Sequence, residues 1–383
     1  MITANRLAQV GEYYFSKKLQ EVATLNAQGK SIINLGIGSP DMPPHPSVIA
    51  ELSKYAHEPH THSYQGYKGI PALRAAIAHW YSTQYNANLN ANTQVLPLMG
   101  SKEGILHLCM AYLNPGDVAL IPNPGYPTYA SAVQLAGGIC MPYHLESAQG
   151  WLPNFNAIEA QDLSKVKLMF VNYPHMPTGA PASPALLQAI IQFGAKHNIL
   201  IINDNPYSFI LNPKPLSILT YCTNEQYVVE LNSLSKSNNM AGWRVGMLCG
   251  NSNVLQSVLQ YKSNMDSGMY LPIQLAAIKA LEMDSNWYHN LNQVYATRKQ
   301  HIQGILTKLQ CTFEPHQQGL FVWAKINISN YKDGYHLSDH VLYNHNVFIT
   351  PGGIFGSNGN NYVRVSICQP EHVIAQAATN IAS

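Results

Sequence analysis

Several scarcities narrow the class of this chain before any motif is considered. Its six cysteines (Cys109, Cys140, Cys222, Cys249, Cys311, Cys368) form no CxxC pair and lie far apart, mostly in apolar runs. No disulfide framework and no metal site is therefore expected, and buried thiols in a reducing, cytoplasmic compartment are. Charge is scarce too: 11% of residues are charged and the formal net charge is +2. That balance offers no electrostatic basis for a nucleic-acid or membrane partner. No apolar stretch approaches the roughly 18–20 residues that would span a bilayer. The N-terminus has mixed polar and charged residues without the apolar centre of a secretory signal, so none is expected. Internal repeats and low-complexity linkers are absent. Arginine is rare, at five positions (Arg6, Arg74, Arg244, Arg298, Arg364) among 22 basic residues. Each is worth weighing as an anion clamp, because a guanidinium holds carboxylate or phosphate through two parallel bonds.

What is present is a chain of 383 residues, 46% hydrophobic, long enough for about two or three domains. Short apolar runs alternate with helix-like segments through its middle. Lys167–Asn172 precedes a helical stretch from about Pro184 to His197, which opens with Ser183 as cap and Pro184 at its first position. Ile199–Asp204 follows, then Tyr227–Ser233, then Val245–Cys249. Runs this apolar suit strands buried on both faces of a parallel sheet. Asn172, Asp204 and Lys236 are spaced 32 and 32 residues apart, each at or just past a run's end. About 30 residues is one strand–helix repeat, so the three are expected along the carboxyl edge of adjacent strands. Open α/β sheets bind ligands at that edge. From about Leu275 the pattern changes to a helical region (275–309), a strand at Gly319–Ala324, a helix near His336–Asn344 and a strand at Tyr362–Ile367. The expected division is an N-terminal arm joined to a small domain (1–40), a large α/β domain (41–275) and a smaller α+β domain (276–383).

Ser233-Leu-Ser-Lys236 through Arg244 sets two hydroxyls and one amine eight residues ahead of a guanidinium. A lysine amine forms a Schiff base with a carbonyl, and Arg244 with a serine hydroxyl suits a phosphate. Taken alone, the same residues also fit a surface lysine near a structural arginine. Gly100-Ser101-Lys102-Glu103-Gly104 opens a helical run, where free backbone N–H groups attract anions. Its spacing is not that of a Walker loop, and a plain helix start is the other reading. Tyr126, in a turn-rich loop, suits stacking on a flat ring or simply covering the loop. Asp204, with Tyr207 three residues on, suits a pyridinium nitrogen or a helix cap. Arg74, after Tyr64-Gln-Gly-Tyr-Lys-Gly69, reads as structural.

In this order and spacing, from Leu35-Gly-Ile-Gly38-Ser-Pro-Asp41 to Tyr362-Val-Arg364-Val-Ser366, the residues resemble the class I/II aminotransferases of fold type I, which use pyridoxal 5'-phosphate. The resemblance covers nearly the whole chain and is nearest the branch of LL-diaminopimelate and alanine aminotransferases. It implies a large domain with a mostly parallel seven-stranded sheet flanked by helices. It also implies that Lys236 is the Schiff-base lysine and proton carrier. Asp204 would face the pyridine nitrogen, Tyr207 the phenolic oxygen, and Tyr126 the ring. The phosphate would sit among Gly100, Ser101, Lys102, Ser233, Ser235 and Arg244. Tyr64 would reach the phosphate of a neighbouring subunit, making a homodimer with shared sites. Arg364 would clamp the substrate carboxylate near Gly38. Asn172 opens the loop Asn172-Tyr-Pro-His-Met176-Pro-Thr-Gly179, and there the chain departs from the family. Met176 stands where an asparagine precedes Pro-Thr-Gly, and a thioether donates no hydrogen bond.

The expected reaction moves an amino group between an L-amino acid and a 2-oxo acid. A C–S β-lyase or a decarboxylase would share every residue named. A cofactor-binding protein with turnover impaired by Met176 is a third reading. No arginine occupies the position that dicarboxylate-specific relatives use, and Lys262 is weighed both as its substitute and as a solvated lysine at a helix end. Tyr13, Tyr14 and Phe15 are weighed as a cover for the substrate pocket and as an arm packing on the core.

Overall fold

Runs of apolar residues too short for helices, each followed by a capped amphipathic segment, build the centre of the fold. The computed structural model describes residues 3–8, 10–11, 14–223 and 226–382. In chain order its strands are β1 (Ile33–Asn34), β2 (Val95–Leu98), β3 (Val118–Asn123), β4 (Ile139–His144), β5 (Val166–Val171), β6 (Leu200–Asp204), β7 (Val228–Ser233), β8 (Gly246–Gly250), β9 (Thr312–Phe313), β10 (Phe321–Lys325), β11 (Val347–Phe348), β12 (Thr350–Pro351) and β13 (Tyr362–Ser366). Seven of them form one sheet in the order β2-β8-β7-β6-β5-β3-β4. β3 to β7 pair in parallel, and β8 runs antiparallel to both its neighbours. Every residue of β6, β7 and β8 is buried. Burial on both faces is why these segments read as unbroken apolar runs.

The ends of one helix fall where the sequence places them. Ser183 accepts from the Leu186 amide at 3.2 Å, Pro184 begins the helix Pro184–His197, and Asn198 ends it in the left-handed conformation. The helical region expected over 275–309 is two helices, Leu271–Leu281 and Ser285–Lys308, the second capped by Asp284. The expected boundary after residue 275 therefore falls inside a helix. Leu271–Leu281 packs on Pro46–Ala56 and Pro71–Tyr85. Its buried Gln274 accepts from the Ile70 amide at 2.8 Å, which ties this helix to the start of Pro71–Tyr85.

The smaller sheet has the order β12-β13-β10-β9 and is antiparallel throughout. The N-terminal segment returns to this C-terminal part of the chain: β1 pairs in parallel with β11 as a separate two-stranded sheet, and Lys18 pairs with Asp339 of the helix Gly334–His345 at 3.3 Å. Asp41 takes Arg298 of the long helix through two bonds of 2.6 and 3.0 Å.

Candidate active site

Because β5, β6 and β7 are parallel neighbours, their carboxyl ends lie side by side. Asn172 follows β5, Asp204 ends β6, and Lys236 lies on the short helix Leu234–Ser237 directly after β7. The 32-residue spacing thus becomes adjacency in space. Above this edge opens a cavity of about 640 Å³ lined from the large sheet, the N-terminal segment and the small sheet.

Lys236 Nζ donates to the Gly38 carbonyl at 2.8 Å. Burial lowers its pKa, with Arg364 and Arg244 adding to the shift. Lowering an amine's pKa raises the share of its neutral, nucleophilic form. Asp204 is also buried. Its Oδ2 accepts from Tyr129 at 2.8 Å, while Oδ1 has no hydrogen-bond partner among the described residues. Burial raises its pKa to about 7, against the bond from Tyr129. An unpartnered carboxylate oxygen facing a cavity calls for a donor from a ligand, and a protonated ring nitrogen fits.

At one end Ser101, Lys102, Ser233, Ser235 and Arg244 all line the cavity. Ser101 and Lys102 begin the helix Ser101–Tyr112, whose first N–H groups have no intrahelical partner. Ser233 Oγ donates to the Val245 carbonyl (3.1 Å) and lies 2.8 Å from Ser235 Oγ. Arg244 is anchored by a 2.9 Å bond to the Ala241 carbonyl. A cluster of hydroxyls, cations and a helix start fits a phosphate. Gly100 lies behind it, since a Cβ there would come 2.0 Å from Arg244 Nη2.

At the other end Arg364, on β13, donates to the Gly36 carbonyl at 2.9 Å and to Met176 Sδ at 3.3 Å. Tyr126, Tyr207 and Met176 complete this part of the lining. Burial raises the pKa of Tyr207, so its hydroxyl stays a donor.

Most of the expected residues therefore gather in one cavity, with four qualifications. Asn172 lines it, but its amide is engaged by backbone: Nδ2 donates to the Asp204 carbonyl and Oδ1 accepts from the Met176 amide. These bonds brace the loop, and they use only one of the two Nδ2 hydrogens. Gly100 and Tyr64 are not among the lining residues, and Tyr64 is 91% exposed. Lys262 is neither a substitute clamp nor solvated: it is 2% exposed, ion-paired with Asp266 and 4.0 Å from Glu103. Its partner four residues on outcompetes solvent. Of the suggested N-terminal cover, Phe15 lines the cavity and Tyr14 packs on Tyr335 instead, while Tyr13 lies outside the described residues. Sequence reasoning missed Tyr129.

Comparison with known proteins agrees with this geometry. The profile of the family described as "Aminotransferase class I and II" matches residues 30–381. An LL-diaminopimelate aminotransferase from Dehalococcoides mccartyi is 37% identical, over 100% of this chain and 98% of that protein. The apo structure of BacF from Bacillus subtilis superimposes with a TM-score of 0.95 at 35% identity, covering 100% of this chain and 98% of that one. An aminotransferase structure from Staphylococcus aureus gives 0.89 at 30% identity, covering 99% and 98%.

Proposed function

Because the chain belongs to the class I and II aminotransferase family, and is a pyridoxal-phosphate-dependent transaminase of fold type I, we propose that Lys236 is its covalent amine and proton carrier. The observation that carries this reading is a buried lysine of lowered pKa in the same cavity as the unpartnered Asp204 Oδ1. Pyridoxal phosphate, when bound, supplies an electron sink for the pair left as the substrate α-proton departs. Ser101, Lys102, Ser233, Ser235 and Arg244 hold its phosphate, and Gly100 leaves room for the guanidinium. Tyr126 covers a ring face, Asp204 accepts from the pyridine nitrogen, and Tyr207 donates to the phenolic oxygen. Arg364 takes the carboxylate of the amino acid and then of the 2-oxo acid. Lys236 Nζ, released from the Gly38 carbonyl, takes and returns the α-proton. General acid–base help of this kind contributes about 10²–10⁴-fold.

Borohydride treatment of the loaded protein, followed by peptide mapping, tests the assignment. A pyridoxyl label is expected on the peptide containing Lys236, and none in Lys236→Ala. A label on another lysine in the wild type would overturn it.

The active unit is proposed to be a homodimer in which Tyr64 serves the neighbouring subunit's phosphate. Its high exposure, away from the cavity of its own chain, supports this. A cytoplasmic location is likewise proposed, supported by the six free cysteines. The domain division is proposed to lie near 282–284.

A further inference from the structure

The cavity has more wall than the proposed cofactor contacts use. On the side of the N-terminal segment and the small sheet its lining, apart from Gly38 and Arg364, is Phe15, Ser16, Leu19, Ile37, Phe321 and Phe355. Three of these rings enclose the Arg364 guanidinium, with centroids 3.8 Å (Phe321), 4.6 Å (Phe355) and 5.5 Å (Phe15) away. A carboxylate held by Arg364 therefore brings its own side chain against apolar surface. Phe15 and Leu19 are four residues apart on the helix Tyr14–Ala27 and share one face of it. Leu19 is still 39% exposed, so this face has apolar surface left for a ligand to cover.

Charge on this wall is as informative as shape. Asp204 is the one carboxylate among the described lining residues, and it faces the ring position. A distal ammonium would lose its hydration without gaining a partner from the described residues of this chain's wall. A distal carboxylate gains no cation from this chain's wall either: Lys102 and Arg244 belong to the phosphate end, and Lys262 is buried against Asp266, off the cavity.

We infer that this site takes a 2-amino acid with a bulky, uncharged, apolar side chain, received by Phe15, Leu19, Ile37 and Phe355, rather than a dicarboxylate or a diamino acid. The inference rests on Arg364 being the carboxylate clamp proposed above. It separates the chain from the substrate in the name of its Dehalococcoides relative.

Two readouts test it on the loaded protein. In the first, the change in cofactor absorbance is followed with L-phenylalanine, L-leucine, L-glutamate and LL-diaminopimelate. The apolar pair is expected to show kcat/KM roughly tenfold or more above the other two, the ratio that burying one such side chain provides. A preference for glutamate or LL-diaminopimelate would overturn the inference. In the second, calorimetry compares binding of the unreactive 3-phenylpropanoate, glutarate and 6-aminohexanoate. This readout needs no turnover. If no amino acid changes the absorbance while 3-phenylpropanoate binds most tightly, the catalytic roles fail and the side-chain inference stands. Tighter glutarate or 6-aminohexanoate would overturn it whatever the turnover. Leu19→Glu is expected to shift the ratio of 3-phenylpropanoate to 6-aminohexanoate affinity by roughly tenfold toward the amine, and an unchanged ratio would remove Leu19 from the subsite.

Discussion

Asp204 sits where its own charge is poorly solvated, and that gives it a signature in stability. Burial raises its pKa to about 7 in the folded chain without ligand, against roughly 3.9 for an unfolded aspartate. The folded state thus keeps a proton that the unfolded chain releases between those values. The associated stability is fully present below about pH 4 and is lost as pH rises through about 7. Asp204→Asn removes the titration. The thermal midpoint of the cofactor-free variant should gain on wild type as pH rises from about 4 to about 7 and level off above, and a gap that stays constant across that range would contradict this. Met176 acts on the neighbouring clamp. Its Sδ, a weak acceptor, takes Arg364 Nη1 at 3.3 Å. Met176→Leu keeps the volume but deletes the acceptor, an effect of about 0.5–1.5 kcal/mol. It should appear as a rise in substrate KM of roughly two- to tenfold with kcat little changed. Met176→Asn instead restores a donor near the phenolic oxygen and should lower the pH at which the cofactor absorbance titrates. Superimposable titrations of the two proteins would dismiss that role.

Elements carry these residues, and their geometry explains what the sequence revealed. Strands β5 to β8 lie within a residue or two of the apolar runs at 167–172, 199–204, 227–233 and 245–249, because each is covered on both faces. Asn172, Asp204 and Lys236 line up because parallel neighbours advance by one repeat. Other features depend on partners distant in sequence. The two-residue pairing of β1 with β11 has no local signal, since strands this short exist only when tertiary packing brings them together. Lys262 reads as a solvated helix end until Asp266, one turn on, is seen to bury with it. Tyr129 is legible only once β6 lies beneath it and Asp204 needs a donor. Gly100 is a case where element and site meet. It holds φ +86° at the start of the helix Ser101–Tyr112, and a Cβ would strike Arg244. Gly100→Ala should cost on the order of 1–3 kcal/mol of backbone strain, because φ +86° with ψ +148° is a region essentially reserved for glycine, and push the guanidinium off the anion end. The dissociation constant for pyridoxal phosphate is expected to rise roughly tenfold or more with the circular dichroism spectrum unchanged. Unaltered affinity would remove Arg244 from the phosphate site.

Across the whole molecule, the cavity is assembled from three parts that the chain visits far apart. The large sheet supplies Lys236 and Asp204, the small sheet supplies Arg364, and the N-terminal segment bonds to both. Gly38 accepts from Lys236 at 2.8 Å, Gly36 accepts from Arg364 at 2.9 Å, and Asp41 binds Arg298 of the long helix. One proposed contact is missing from this set, because Tyr64 stands 91% exposed outside the cavity. If Tyr64 serves a second copy, two defective chains should repair each other. Lys236→Ala lacks the amine of its own site yet offers an intact Tyr64 to its partner. Tyr64→Ala keeps its own amine and lacks only what the partner provides. In a mixed dimer, one of the two sites then has both residues. Random reassociation makes about half the dimers mixed, so activity should recover to about one quarter of wild type. Each variant alone should remain well below that. A mixture no more active than the sum of its parts would place Tyr64 outside the partner's site.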